Sequence, residues 1–361
     1  MSSPQKPGMA SVDAAILDRI LAVLAPKKLA PHKKIVPLLR VNKHWNAIGR
    51  KRLYAAISLK GQWISRPLRR TLDKSPALAA LVTELVMDTE LSSQDPKETA
   101  DHIRIVAACQ NLQHLTILGY ASTADVAKYR EAIASRSSLI TLNISEGNGM
   151  FTFAQLLDML AGWPKLEKLI LKDTLLPAPD DGALPVMSAS QCHSLKMVKI
   201  IDTLDPAQRF SFAAFASRVP ALSVLWVQPQ RQMPDDILDG LRAWSATLEA
   251  LCLLSDSELH LETILPSLSS LKHLDTWSQM LSPASIKHAP PSVEALTYRI
   301  FPAQLLDLSE TLAISTVLPS LKALEVKGAV PPGKITPLKF TPMATQSIRT
   351  VCKRRRIRLT M

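Results

Sequence analysis

A chain of 361 residues with 47% hydrophobic and 20% charged side chains is long and apolar enough to bury a large core, which excludes wholesale disorder. Its net charge of +12 belongs to the ends: residues 1–75 hold sixteen Lys or Arg against three acids, six further bases crowd between Arg349 and Arg358, and the middle is acidic, near −7. No basic track runs along the chain to neutralise phosphates, so nucleic acid is disfavoured as a partner, and the basic N-terminal module suits an acidic protein.

Residues 1–11 are polar, lack the apolar core of a signal peptide and are expected to be disordered. No run approaches the roughly 20 apolar residues of a membrane helix. The four cysteines, Cys109, Cys192, Cys252 and Cys352, form neither a CxxC pair nor a zinc spacing. A reducing compartment follows, with the protein expected in the cytoplasm, the nucleus or both and away from membranes.

Ile16, Leu17, Ile20, Leu21 and Leu24 repeat at i, i+3, i+4, i+7 and predict a first amphipathic helix, with Asp13 as N-cap and Pro26 as stop. Pro31 and Pro37 bracket a short segment, Lys33 to Val36. Leu38, Leu39, Val41, Trp45 and Ile48 start a further helix ending near Tyr54, and 55–59 reads as a strand. These three pieces, Ile16 to Leu24, Leu38 to Trp45 and Leu53 to Leu59, resemble the F-box motif: an Ile-Leu helix, a "Val-x-Lys-x-Trp" helix and a "Leu-Tyr…Ile-x-Leu" exit. Where the family usually opens on Leu-Pro, this chain has Ser11 to Ala15.

Downstream, Leu-x-x-Leu-x-(apolar) returns with its first residue at Leu81, Leu112, Leu139, Leu166, Leu195, Leu222, Leu248, Leu271, Val293 and Leu321, at steps of 22 to 31 residues. That period is close to the length of one leucine-rich repeat. The alternation within each copy predicts a strand with one buried face. Helices are expected between copies over Glu98–Ala108, Ala124–Ser135, Phe153–Ala161, Phe210–Arg218, Pro234–Ala246 and Pro302–Ile314. Between Leu261 and Trp277, Leu268 and Leu271 compete for register. A helix from Thr345 to Arg355 and a strand at 357–359 close the chain.

The expected fold is α/β: a leucine-rich-repeat solenoid, parallel sheet inside and helices outside, behind a small all-α module. Its domains are a helical module over 12–59 and about ten or eleven repeats with a C-terminal cap over 60–361. The whole resembles F-box proteins with C-terminal leucine-rich repeats, of the fungal type. The resemblance implies a non-catalytic substrate receptor that docks a Skp-type adaptor, and through it a cullin-RING ubiquitin ligase, while the repeats hold a protein target. It implies adaptor contacts from Ile16, Leu17, Ile20, Leu21, Leu24, Leu38, Leu39 and Val41. The alternative is a repeat scaffold or inhibitor with no ligase, its N-terminal helices serving only as a cap.

If the leucines point inward, the residues between them line the concave face, where solenoids bind. His114, Asn143, Lys168, Lys199, Trp226, Asp275, Trp277 and Arg299 are the candidate target contacts, with Trp226 and Trp277 as anchors because an exposed indole buries much area at low entropic cost. Trp163, Trp244 and the Phe210, Phe212, Phe215 cluster are expected in the core. The sequence offers no HExxH, Gly-rich phosphate loop or activated nucleophile, so no enzyme activity, cofactor or metal is expected. Lys353 to Arg356 reads as a solvated helix end that complements the helix dipole.

Overall fold

The computed structural model describes residues 39–59, 64–88, 96–119, 126–147, 150–174, 191–201, 211–229, 236–255, 259–329 and 339–361, with positions 16, 17, 19, 36 and 37 ahead of them. The expected disordered tail, most of the helix from Ile16 to Leu24, the segment Lys33 to Val36 except its last residue, and Phe210 lie outside that set. Twelve strands form one sheet: β1 Ala56–Leu59, β2 Glu84–Asp88, β3 His114–Leu118, β4 Thr141–Ser145, β5 Lys168–Lys172, β6 Met197–Ile201, β7 Val224–Gln228, β8 Ala250–Leu253, β9 His273–Trp277, β10 Ala295–Ile300, β11 Ala323–Gly328 and β12 Arg358–Thr360. Their order in space is their order in sequence, and every neighbouring pair is parallel. Each strand therefore contacts only the repeats before and after it, which is the leucine-rich-repeat type of solenoid the sequence predicts.

Besides the helical positions 16, 17, 19, 36 and 37, the described helices are α1 Lys43–Ala55 ahead of the sheet and, between strands, α2 Ser65–Lys74, α3 Pro76–Ala79, α4 Pro96–Ala108, α5 Val126–Ala134, α6 Phe153–Ala161, α7 Phe212–Arg218, α8 Ile237–Ala243, α9 Leu305–Ala313 and α10 Pro342–Arg355. The steps into β9 and β10 are the shortest, 23 and 22 residues. They leave room only for 3-10 turns, at Leu261–Thr263, Leu265–Ser267 and Pro283–His288. A 3-10 turn rises more per residue than an α-helix, so a short connection spans the layer. Leu271 leads β9, and Leu268 is buried in the turn before it, which resolves the competition between them.

The strands bury alternate residues, as their period of two requires. One buried row, Leu85, Leu115, Leu142, Leu169, Val198, Leu225, Leu251, Leu274, Leu296 and Leu324, crosses β2 to β11 in register; a second runs Met87, Ile117, Ile144, Leu171, Ile200, Val227, Leu253, Thr276, Tyr298 and Val326. The first repeat is displaced from the expectation by one residue. Val82, fully buried, takes the leading position three residues before Leu85, and Leu81 beside it is only half-buried. The three-residue offset to the next core leucine decides the register, not the identity of the leading residue.

In five repeats the polar residue directly ahead of the leading apolar one has a specific task. Asn111, Ser138, Ser194, Thr247 and Ser292 donate to Ala80 O, Leu112 O, Leu166 O, Leu222 O and Leu271 O at 2.7–2.8 Å. Two successive amides at the entrance of each strand from β3 to β11, such as Glu167 N and Lys168 N, share one carbonyl of the previous repeat, here Ile140 O at 2.8 and 3.0 Å. Buried turns otherwise orphan these carbonyls, so each Ser, Thr or Asn stitches one repeat to the last.

On the helix side, Trp163 and Trp244 are fully buried, as expected, and donate from Nε1 to Ile133 O and Val219 O. Phe212 and Phe215 are buried as well, with Phe215 edge-on to Trp244. At the N-terminus α1 starts at Lys43, five residues after the expected Leu38, because the extended Asn42 caps it by accepting from Trp45 N at 2.9 Å. At the far end Arg355 donates to Leu312 O, Val317 O and Leu318 O, which ties α10 to the turn after α9. Arg354 donates to Ala313 O, and Arg356 adopts the left-handed conformation that ends the helix. The basic run is thus a helix terminus that satisfies carbonyls of the previous repeat. β12 begins at Arg358, one residue beyond the expected start at Ile357.

Candidate functional site

The face of the sheet turned away from the buried rows carries three rows of partly exposed side chains; it is the face that the sequence reading calls concave. The central row is set by the pairings Val86, Thr116, Asn143, Ile170, Lys199, Trp226, Cys252, Asp275, Thr297 and Glu325, one residue per strand from β2 to β11. Neighbouring strands lie about 4.8 Å apart, so residues on adjacent strands touch although 22 to 30 residues separate them in sequence.

All eight candidate target contacts are on this face, in two groups. His114, Asn143 and Lys168 lie on β3 to β5 and are half-buried, His114 and Lys168 in one row with Thr141 between them and Asn143 in the central row. Lys199, Trp226, Asp275, Trp277 and Arg299 come together over β6 to β10. Register places Lys199 beside Trp226 and Trp277 beside Arg299.

The electrostatics of the second group are worked out within the protein. Lys199 Nζ sits 3.9 Å from the Trp226 ring centroid, a cation held over an indole face. Arg299 Nη2 lies 3.6 Å from Asp275 Oδ2, Lys327 Nζ 3.1 Å from Glu325 Oε2, and Thr297 Oγ1 donates to Glu325 Oε2 at 3.2 Å. Burial raises the Asp275 pKa and the Arg299 charge opposes it. The hydrogen bond from Lys327 lowers that of Glu325. Cys252, between Trp226 and Asp275 in the row, is only 7% exposed. Burial and then the neighbouring Asp275 charge push its thiol pKa well up, so it is a packed thiol and not a nucleophile.

Four polar atoms here are buried without a well-aligned hydrogen-bond partner, Trp226 Nε1, Trp277 Nε1, Arg299 Nε and Asp275 Oδ1, although the Asp275 carboxylate also accepts a hydrogen bond from the Cys252 thiol. Buried polar groups are nearly always paired, and these four atoms on β7, β9 and β10 are among the exceptions in the described residues. Gln228 and His273 share the face and are absent from the sequence expectation. The period-two rule alone reaches Gln228, two residues beyond Trp226.

Of the residues assigned to adaptor contact, Ile16 and Val41 are 53% and 51% exposed, Leu39 is half-buried and Leu17 is fully buried. Ile20, Leu21 and Leu24 lie outside the described residues, as does Leu38. Val36, itself helical and ahead of α1, is a third exposed apolar side chain. Among the described residues no helix is long and apolar enough to cross a membrane.

No family model matches this chain, and no curated protein matches it. Among solved structures it is similar to a chain in the crystal structure of a TLR13–ssRNA13 complex, at 15% identity and a TM-score of 0.38. The match covers 69% of this chain and 43% of that one. The fold assignment rests on the strand order and the repeated buried rows, which make this chain a leucine-rich-repeat solenoid.

Proposed function

We propose that this chain is a non-catalytic recognition adaptor. Its open sheet face holds a protein target, and the module over residues 12–59, which resembles an F-box, ties it to a Skp-type adaptor and so to a cullin-RING ubiquitin ligase. Transfer chemistry then belongs to the ligase, and the chain contributes by holding the target at high effective concentration. The observation that carries the binding role is the open sheet face itself, on which Trp226 and Trp277 stay partly exposed. Apolar side chains left in water on the small N-terminal module, Ile16 and Val41, support the adaptor role, because a module of that size gains stability by covering them.

Co-expression with a Skp-type adaptor tests this reading. A complex stable at low salt is expected, and Ile16→Asp with Val41→Asp abolishes it while the circular dichroism of the chain is unchanged. These two positions are chosen because they are exposed, whereas a charge at buried Leu17 acts on folding. If the unmodified chain forms no complex at low salt, the ligase link is wrong. The second reading, a scaffold without a ligase, then stands, and the packing of α1 against α3 and β1 favours it as a simple N-terminal cap.

A further inference from the structure

The open face changes character along the array. On β9 to β11 its cations are matched within the protein, Arg299 by Asp275 at 3.6 Å and Lys327 by Glu325 at 3.1 Å. On β5 to β7 three strands give three outward positions each, and these nine hold three lysines, one glutamine, five large apolar side chains and no acid. Lys172 is matched just past its strand by Asp173 at 3.4 Å. Lys168 and Lys199, both half-buried, make no ion pair among the described residues. The Trp226 ring, 3.9 Å from Lys199 Nζ, holds that ammonium in place without neutralising it.

Register makes these groups neighbours. Lys168 pairs with Met197 and Met197 with Val224, while Ile170 pairs with Lys199 and Lys199 with Trp226. Adjacent strands lie about 4.8 Å apart, so the two lysines and four apolar side chains form one continuous surface about 10 Å across the strands. All six are partly exposed. Unmatched cations set among exposed apolar groups suit a partner that carries carboxylates and large apolar side chains together.

Other occupants fit less well. The N-terminal stretch of this chain, or of a second copy, has the wrong sign, with sixteen Lys or Arg against three acids over residues 1–75. A nucleic acid calls for a continuous cationic track, whereas Lys199 lies between Ile170 and Trp226, and Lys168 between Thr141 and Met197. The aliphatic groups offer a phosphodiester nothing.

We infer that the open face over β5 to β7 is a docking site for an acidic segment of the protein target, with carboxylates set against Lys168 and Lys199 and large apolar side chains on Ile170, Met197, Val224 and Trp226. The inference rests on the reading of the open face as the binding surface. It is independent of the ligase link. The carboxylates would set the register of the segment and speed its association, and the apolar contacts, centred on the indole, would supply most of the affinity.

The test is selection of unmodified random dodecapeptides displayed against the full chain, followed by fluorescence anisotropy with resynthesised peptides. The expected result is a family of peptides in which Asp or Glu alternates with large apolar residues, and whose binding weakens several-fold as salt rises from about 50 to about 300 mM. Lys168→Glu with Lys199→Glu weakens binding about tenfold or more, and Lys168→Gln with Lys199→Gln by a smaller factor, both with unchanged circular dichroism. Lys287→Glu with Lys322→Glu makes the same change of net charge at exposed sites away from β5 to β7 and leaves binding within about twofold. Selected peptides without acids, equal loss in the two Glu pairs, indifference to both changes at Lys168 and Lys199, or displacement by a single-stranded oligonucleotide overturns the acidic docking site. If the selected peptides then lose binding on Asn143→Arg or Thr297→Arg, the open face remains the binding surface and only the assigned site is wrong. Selection of no peptide, or binding untouched by every open-face variant, overturns the open-face reading together with this one.

Discussion

Acidification should weaken the convex layer of the early repeats through one histidine. His102 on α4 is 2% exposed, its Nδ1 has no hydrogen-bond partner, and burial lowers its pKa from 6.5 to about 4, against a smaller opposing effect of the Asp101 charge. The sign follows from which state holds the proton. Between these two values the unfolded chain carries a charged imidazolium and the folded chain a neutral ring, so stability is whole above about pH 6.5 and falls as pH drops toward 4. Linkage over a gap of this size gives about 2 kcal/mol lost between pH 7 and pH 5, and about 3 kcal/mol once both states are protonated. Urea unfolding at a series of pH values, followed on the intact chain and on His102→Gln, isolates the effect, because the carboxylates that also titrate are common to both. The intact chain should lose about 2 kcal/mol more than the variant between pH 7 and pH 5. Equal slopes, or an imidazole that titrates near 6.5 by NMR in the folded chain, would refute the reasoning.

Three further predictions concern the joints between repeats. Trp244→Phe removes the 2.6 Å bond from Nε1 to Val219 O in a fully buried site and should lower stability by about 2–3 kcal/mol in urea unfolding; a loss under about 1 kcal/mol would mean that this carbonyl finds another partner. Gly240→Ala sets two effects against each other. A helical Ala gains about 1 kcal/mol, but the added Cβ lies 2.8 Å from Phe212 Cβ and 3.1 Å from Phe212 O, so overpacking of about 1–3 kcal/mol should win and the melting temperature should fall. Arg355→Ala removes bonds to three carbonyls at 2.7–2.8 Å, and the last turn of α9 and the segment to Leu318 should exchange amide hydrogens faster, with about 1.5–3 kcal/mol less protection. Unchanged exchange there would make the basic terminus a solvated end and nothing more.

Much of the fold is legible in short stretches of the chain. A phrase such as Leu166-Glu-Lys-Leu169-Ile-Leu171 states which residues are buried, because strand alternation is a property of the local backbone. Helix starts are legible for a similar local reason: α6 spans Phe153–Ala161 as predicted, with Thr152 and Gln155 forming the capping box at its N-terminus. Boundaries drift where a capping side chain competes with a hydrophobic pattern, as Asn42 does at the start of α1. Register drifts where two neighbouring apolar residues both fit, as Leu81 and Val82 do.

The sequence by itself thus determined the repeating unit, the buried row of each strand and the face that Lys199, Trp226, Asp275, Trp277 and Arg299 share. Only the tertiary structure decided what those residues do to one another. Lys199 meets Trp226 across 27 residues of chain and Asp275 meets Arg299 across 24, through strand pairings that no local pattern encodes. The same stacking leaves two indoles, a guanidinium nitrogen and a carboxylate oxygen buried without well-aligned partners. A hydrogen-bonding group is satisfied or orphaned according to its neighbours in space, and in a solenoid those neighbours come from the adjoining repeats.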